Sequence, residues 1–130
     1  MDDRETLKKA GIQPSSQRLA VAAYVLHTEE HPSADHVWTQ VQDALPMVSR
    51  ATVYNTLNLF VDKGLLRQFV LKEGHVVFDP KVERHHHFIE DETGRIVDVP
   101  WNAVRVTPAD LPGFDISEYQ VIFRGKRKRK

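Results

Sequence analysis

Cysteine is absent from the 130 residues. That excludes a disulfide framework, a thiolate nucleophile and a Cys-ligated zinc site. No apolar run approaches the roughly 18 residues that a membrane-spanning helix needs. Net charge is missing too, since 18 Lys and Arg balance 18 Asp and Glu. The opening Met-Asp-Asp-Arg-Glu-Thr is acidic and polar, so no secretory signal is expected and the expected location is cytoplasmic. What is present, 41% hydrophobic and 28% charged residues, is the make-up of one soluble globular domain or two small ones.

The zero balance hides an asymmetry. Lys126, Arg127, Lys128, Arg129 and Lys130 end the sequence as a basic tail, leaving 13 basic against 18 acidic residues in the body, a net of −5. A body of that sign does not attract nucleic acid through bulk charge. Contact with DNA would have to come from a local face or from the tail, which is expected to add affinity without sequence preference.

Residues 1 to about 64 read as helices set off by caps and breakers. Asp2 to Ala10 forms a short helix ended by Gly11, and Pro14 and Ser15 open a second, with Leu19, Ala22, Ala23 and Leu26 as its apolar stripe. His31-Pro32 breaks the chain, because the residue before proline is pushed out of the helical region. Ser33 caps a third helix, with Val37, Trp38, Val41 and Leu45 inward and Pro46 at its end. Ser49 caps a fourth that runs to Lys63 and stops at Gly64, with Val53, Leu57, Phe60 and Val61 buried. From Leu65 the period changes to that of a hairpin, turning at Lys72-Glu73-Gly74 and ending at Phe78. Helices followed by a two-stranded hairpin form the winged helix-turn-helix pattern.

Pro80 places a boundary near Asp79–Glu83. Beyond it, strands are expected at His85–Glu90, Arg95–Val99 and Ile116–Arg124, the last alternating Tyr119, Val121 and Phe123 with polar neighbours, while Trp101–Leu111 holds at most a short helix. So small a unit can hardly bury enough surface alone, so an oligomer interface is expected in it. The fold class is therefore α+β: an N-terminal winged helix over 1–80, a small β-rich dimerisation unit over 84–125, and the tail at 126–130.

Two constellations carry chemistry. On the Ser49–Lys63 helix, Arg50, Tyr54, Asn55 and Asn58 share the face opposite the apolar stripe, with side chains that can hydrogen-bond phosphates and base edges. The helix also stands where a helix-turn-helix keeps its recognition helix. An ordinary amphipathic helix with a solvated face reads the same way. The second constellation is Arg-His-His-His-Phe-Ile-Glu at 84–90. On a strand, His85 and His87 share a face roughly 7 Å apart, close enough for one metal, while His86 points away. Asp79 and Asp98 can add carboxylates and His31 a further imidazole, a donor set suited to Zn, Fe, Mn or Ni. A surface histidine cluster is the alternative, as a cap or loop role is for His31 and Asp79. His27, His36 and His75 fit no constellation and are expected at the surface.

These segments resemble the ferric uptake regulator (Fur) family of metal-sensing bacterial repressors. The likeness runs through Gly-Ile-Gln-Pro-Ser-Ser-Gln-Arg at 11–18, His-Pro-Ser-Ala at 31–34 and Ser-Arg-Ala-Thr-Val-Tyr-Asn-Thr-Leu at 49–57. It continues through Val-Phe-Asp at 77–79, His-His-His-Phe at 85–88 and Gly-Arg-Ile-Val-Asp at 94–98. The resemblance implies a regulatory site of His31, Asp79, His85, His87 and Asp98 holding one Fe2+, Mn2+ or Zn2+ per subunit, a metal that could lock the two halves at one angle. It also implies a homodimer that binds a double-stranded DNA operator, with Arg18, Ser49, Arg50, Thr52, Tyr54, Asn55 and Asn58 among the DNA-binding residues. No membrane and no small-molecule substrate are implied.

Most of the family carry Cys-x-x-Cys where this sequence has Glu90 and Thr93, so no structural zinc is expected. A second histidine-carboxylate site would fall on Arg84, His86, Arg105 and Tyr119, and is not expected either. Aspartates at 79 and 98 resemble the peroxide-sensing PerR branch. His-His-His-Phe, Val-Asp-Val-Pro at 97–100 and the basic end resemble the haem- or iron-responsive Irr branch, in which His86 would be a haem candidate. A metal-independent winged-helix regulator is a further alternative. His-His-His-Phe-Ile-Glu also resembles the metal motif of cupin enzymes, but a cupin barrel needs about twice the strands that 84–130 can supply. No enzyme activity is expected.

Overall fold

A computed structural model describes residues 2–72, 74–83, 85–106, 111–116 and 119–129. The chain divides into two compact units, Met1–Val82 and Glu83–Lys130.

The first unit contains α1 (Asp3–Lys9), α2 (Ser16–Val25), α3 (Ala34–Val41), α4 (Arg50–Asp62) and the antiparallel hairpin β1 (Arg67–Lys72) and β2 (His75–Asp79). Each helix starts on a side-chain cap. The oxygens of Asp2, Ser15, Ser33 and Ser49 accept from the amides of Glu5, Arg18, His36 and Thr52 at 2.8, 3.2, 3.2 and 3.0 Å. Gly11 and Gly64 follow α1 and α4 with φ of +79° and +80°, a conformation a side chain would strain.

Leu7, Val21, Val25, Val37, Val53, Leu57 and Phe60 are wholly buried in one core. The apolar stripe of α2 is wider than expected and shifted at one position: Ala22 is buried and Leu19 and Leu26 pack against the core as expected, Val21 and Val25 join it, and Ala23 is exposed. On α4, Thr56 is buried where Val61 was expected, its hydroxyl donating to the Thr52 carbonyl at 2.8 Å. The third helix ends at Val41 rather than at Pro46. There the chain tightens into turns whose amides from Asp43 and Ala44 bond three residues back, and the Trp38 indole donates to the Val48 carbonyl at 3.1 Å. His27, His36 and His75 are exposed.

The second unit is a three-stranded sheet, β4 (Ile96–Pro100), β3 (His85–Glu90) and β5 (Ile122–Gly125), with β3 in the middle, antiparallel to β4 and parallel to β5. Trp101–Ala103 forms a single 3-10 turn, and the remainder of the segment to Leu111 includes 107–110, outside the described residues. The last strand is shorter than Ile116–Arg124. Residues 117–118 lie outside the description, and the Val121 amide bonds the His86 Nδ1 at 3.2 Å instead of a strand partner. Phe123 is exposed.

The basic tail folds back at its start. The Arg127 guanidinium grips the Glu90 carboxylate at 3.1 and 3.4 Å, and Lys126 lies 3.9 Å from Glu92. Arg127 holds the Glu90 carboxyl below the usual carboxylate range. The fork is therefore present at neutral pH and is lost only as pH falls through that lowered value. Arg127→Gln should speed amide exchange over Ile122–Gly125 by about two- to fivefold at low salt, and high salt should bring the parent protein toward the variant. Equal exchange by mass spectrometry at both salt levels would show that the fork holds nothing.

Candidate metal centre and nucleic-acid interface

In the first unit, His31 stands between α2 and α3 with φ of +56°, the only non-glycine residue on the left-handed side among those described. Such a residue costs on the order of 1–3 kcal/mol, and conformations of this kind collect at functional sites. Its side chain is buried, packs edge-on to Phe69 at 6.1 Å, and places Nε2 3.0 Å from Asp79 Oδ2. The other Asp79 oxygen accepts the Lys81 amide at 2.9 Å, so the carboxylate is fixed by the turn that follows β2. His31 is itself fixed from behind, as the Pro32 carbonyl accepts the Phe78 amide of β2 at 2.9 Å.

In the second unit, strand alternation puts His85 and His87 on one face of β3, with ring centroids 4.7 Å apart. The register sets Asp98 of β4 directly opposite His87. One donor atom from each of the three lies within 4.8 Å of the others. Asp98 Oδ1 is 3.3 Å from His85 Nε2 and 3.9 Å from His87 Nε2. His85 Nδ1 lies 2.7 Å from the Glu83 carbonyl oxygen, which can only accept, so Nδ1 bears a proton. That leaves Nε2 as the ring nitrogen turned toward the Asp98 carboxylate and the one placed to ligate a metal. The donor set fits a divalent metal ion.

His86 faces the other way and is wholly buried, stacked on Trp101 at 4.5 Å. Its Nδ1 accepts the Val121 amide, so Nε2 carries the proton, and Nε2 has no hydrogen-bond partner among the described residues. The residue considered for haem is thus an interior one with a ring face covered. Of the positions considered for a second site, Tyr119 packs against Trp101 with the rings tilted and 4.8 Å apart, Arg105 is exposed, and Arg84 lies outside the described residues.

The DNA-binding candidates all lie in the first unit. Tyr54, Asn55 and Asn58 are exposed on α4. Arg18, Thr52 and Asn55 line a cleft of about 470 Å³ with Gln13, Ser15 and Gln17. The Arg18 guanidinium donates to the Gln13 carbonyl at 2.9 Å, while Ser49 and Thr52 are occupied in capping α4. Arg50 is not free. Its Nε and Nη2 reach Asp35 Oδ1 and Oδ2 at 2.8 and 3.1 Å, and the Tyr54 hydroxyl donates to Asp35 Oδ1 at 3.0 Å. Sequence reasoning missed Asp35, since nothing in local periodicity links the first turn of α3 to that of α4.

Residues 9–124 match the model of the ferric uptake regulator family. The chain belongs to that family. It is similar to the peroxide operon regulator of Bacillus subtilis, 32% identical over 93% of this chain and 86% of that protein. It is also similar to the peroxide-responsive repressor PerR of Staphylococcus aureus, 28% identical over 92% of this chain and 83% of that one. Both are named as regulators and neither as an enzyme, in line with the rejected cupin reading. Among solved structures, the ferric uptake regulator of Pseudomonas aeruginosa with manganese superposes with a TM-score of 0.69 at 23% identity, covering 99% of this chain and 100% of that one. At that identity the likeness shows the family's fold, and the α+β class expected from the sequence is the one adopted. Among the described residues, no helix is long and apolar enough to cross a membrane.

Proposed function

We propose that this protein is a cytoplasmic, homodimeric repressor that binds operator DNA in a metal-dependent way and responds to peroxide, as the names of its relatives suggest. The first unit supplies the DNA-binding face, the second the dimer contact. In this reading His31 and Asp79 join His85, His87 and Asp98 as ligands of one Fe2+, Mn2+ or Zn2+.

The observation that carries the reading is the ligand count. The first unit offers two fixed donors, too few for a stable site, and the second offers three. Together they make five nitrogen and oxygen donors, a set that suits Fe, Mn or Zn. A bound divalent ion would supply a link between the unit that reads DNA and the unit that pairs subunits. The chain does the rest: Asp79 is held by the Lys81 amide, His85 by the Glu83 carbonyl, and Asp98 by its place in the ladder. In a dimer, fixing each first unit sets the spacing of two recognition helices, and operator fit depends on that spacing.

The test is fluorescence anisotropy with duplexes enriched from a random library, across a manganese titration. DNA affinity is expected to change at least about tenfold on loading, a coupling of roughly 1.4 kcal/mol. Equal affinity with and without metal would reject the reading. A second arm addresses the signal. Imidazole is the most oxidisable donor in a set with no sulfur. Brief hydrogen peroxide treatment of iron-loaded protein should add one oxygen atom to His31 or His85, with water as the other product, and release the DNA. Manganese-loaded protein should stay unmodified and bound. Intact histidines and retained binding in the iron-loaded protein would leave metal regulation standing and remove peroxide as the signal.

A further inference from the structure

We propose that Asp35 is a specificity-determining residue, which holds the Arg50 guanidinium and the Tyr54 hydroxyl in one arrangement and withholds Arg50 from nonspecific phosphates. The inference rests on the DNA-binding reading above and adds a residue to it.

The observation is a closed ring of three side chains on an exposed face. Arg50, at the first position of α4, makes a two-pronged contact with Asp35 from the first turn of α3 at 2.8 and 3.1 Å. Tyr54, one turn further along α4, donates its hydroxyl to the same carboxylate at 3.0 Å and accepts from Arg50 Nη2 at 3.2 Å. The guanidinium carbon lies 5.2 Å from the Tyr54 ring centroid. Lone exposed ion pairs hold little, but a bidentate fork inside a network is the geometry in which they persist. In keeping with this, Arg50 first and Tyr54 second hold the Asp35 carboxyl below the usual range.

A carboxylate beside a surface that meets polyphosphate is unfavourable for binding in general, which makes its placement informative. With Asp35 ionised, the trio is neutral, and a passing phosphate can recruit Arg50 only by breaking two charge-assisted hydrogen bonds. The Tyr54 proton is turned toward Asp35 and its oxygen accepts from Arg50, so the hydroxyl has no proton left to offer a phosphate. Bulk phosphate attraction is thereby lowered while the side chains at the start of α4 stay ordered, and discrimination between sequences widens.

The experiment compares manganese-loaded parent, Asp35→Asn, Arg50→Gln and the double variant. Two probes are used, a duplex enriched on the parent protein and a random-sequence duplex of equal length, each across a salt series. Asp35→Asn keeps the size and releases the guanidinium. It should steepen the slope of log affinity against log salt on the random duplex by about 0.9, one further phosphate. Between 50 and 200 mM salt that extra slope changes affinity by about 3.5-fold beyond the parent's own loss. The preference for the enriched duplex should fall about tenfold, and the added slope should vanish in the Arg50→Gln background. Melting temperature monitors the fold. An unchanged slope and preference, or an added slope that survives without Arg50, overturns the proposal while leaving the DNA-binding reading intact. A parent protein that binds neither duplex overturns both.

Discussion

His87→Gln should cost at least about 100-fold in divalent-metal affinity, because substitutions merely behind a ligand already cost 10–100-fold. His87 sits on the central strand of its sheet, is buried, and lies opposite Asp98 in register. Without its imidazole the second unit keeps only His85 and Asp98, two donors 3.3 Å apart. Glutamine fills most of the volume without offering that nitrogen, so the sheet should persist by circular dichroism. The reading is by calorimetric manganese titration, with His75→Gln as the exposed control. Metal affinity that survives His87→Gln while the fold is intact would remove the second unit from the site.

Phe60→Ala should destabilise the first unit by about 3–5 kcal/mol. Phe60 is the largest wholly buried side chain among the described residues and lies in one core with Leu7, Leu57 and the valines of α2, α3 and α4. Fixed helices surround the space it would vacate, so the core can close over the cavity only in part. A loss of that size consumes much of the 5–15 kcal/mol that a domain usually has. It should appear as a lower urea midpoint with little change in slope. A loss under about 1 kcal/mol would mean that the core repacks freely, against the close packing seen for interior side chains.

How much of this was legible in the sequence differs from element to element. The starts of α2, α3 and α4 could be read because Ser15, Ser33 and Ser49 each supply a local hydrogen bond, and local chemistry needs no tertiary context. β3 could be read residue for residue from His85 to Glu90, since a turn at Gly94 and a break at Pro80 bound it. The edge of the α2 stripe could not, because alanine and valine count alike in an apolar stripe, and Val21 and Val25 are buried where Ala23 is exposed. Nor could the early end of α3, which depends on Trp38 reaching the Val48 carbonyl rather than on Pro46. At the site, the pairing of His85 with His87 follows from strand alternation alone. His31 and Asp79 lie far apart in sequence, so the residues offered them only as optional donors, each with a cap or loop role as the alternative, and the resemblance joined them into one set. Asp35 escaped both routes, because an ion pair between successive helices leaves no periodic trace.

The backbone at His31 also bears on how such a chain responds to selection for heat resistance. A left-handed residue is cheapest as glycine and tolerable as asparagine. A screen scored on melting temperature alone, in chelator, would meet His31→Gly or His31→Asn as a route to relieve the φ of +56°. Each would discard the imidazole that faces Asp79. On the ligand set proposed above, thermostability and metal response therefore compete at one torsion angle, and a hardened variant would lose the imidazole that set takes from the first unit.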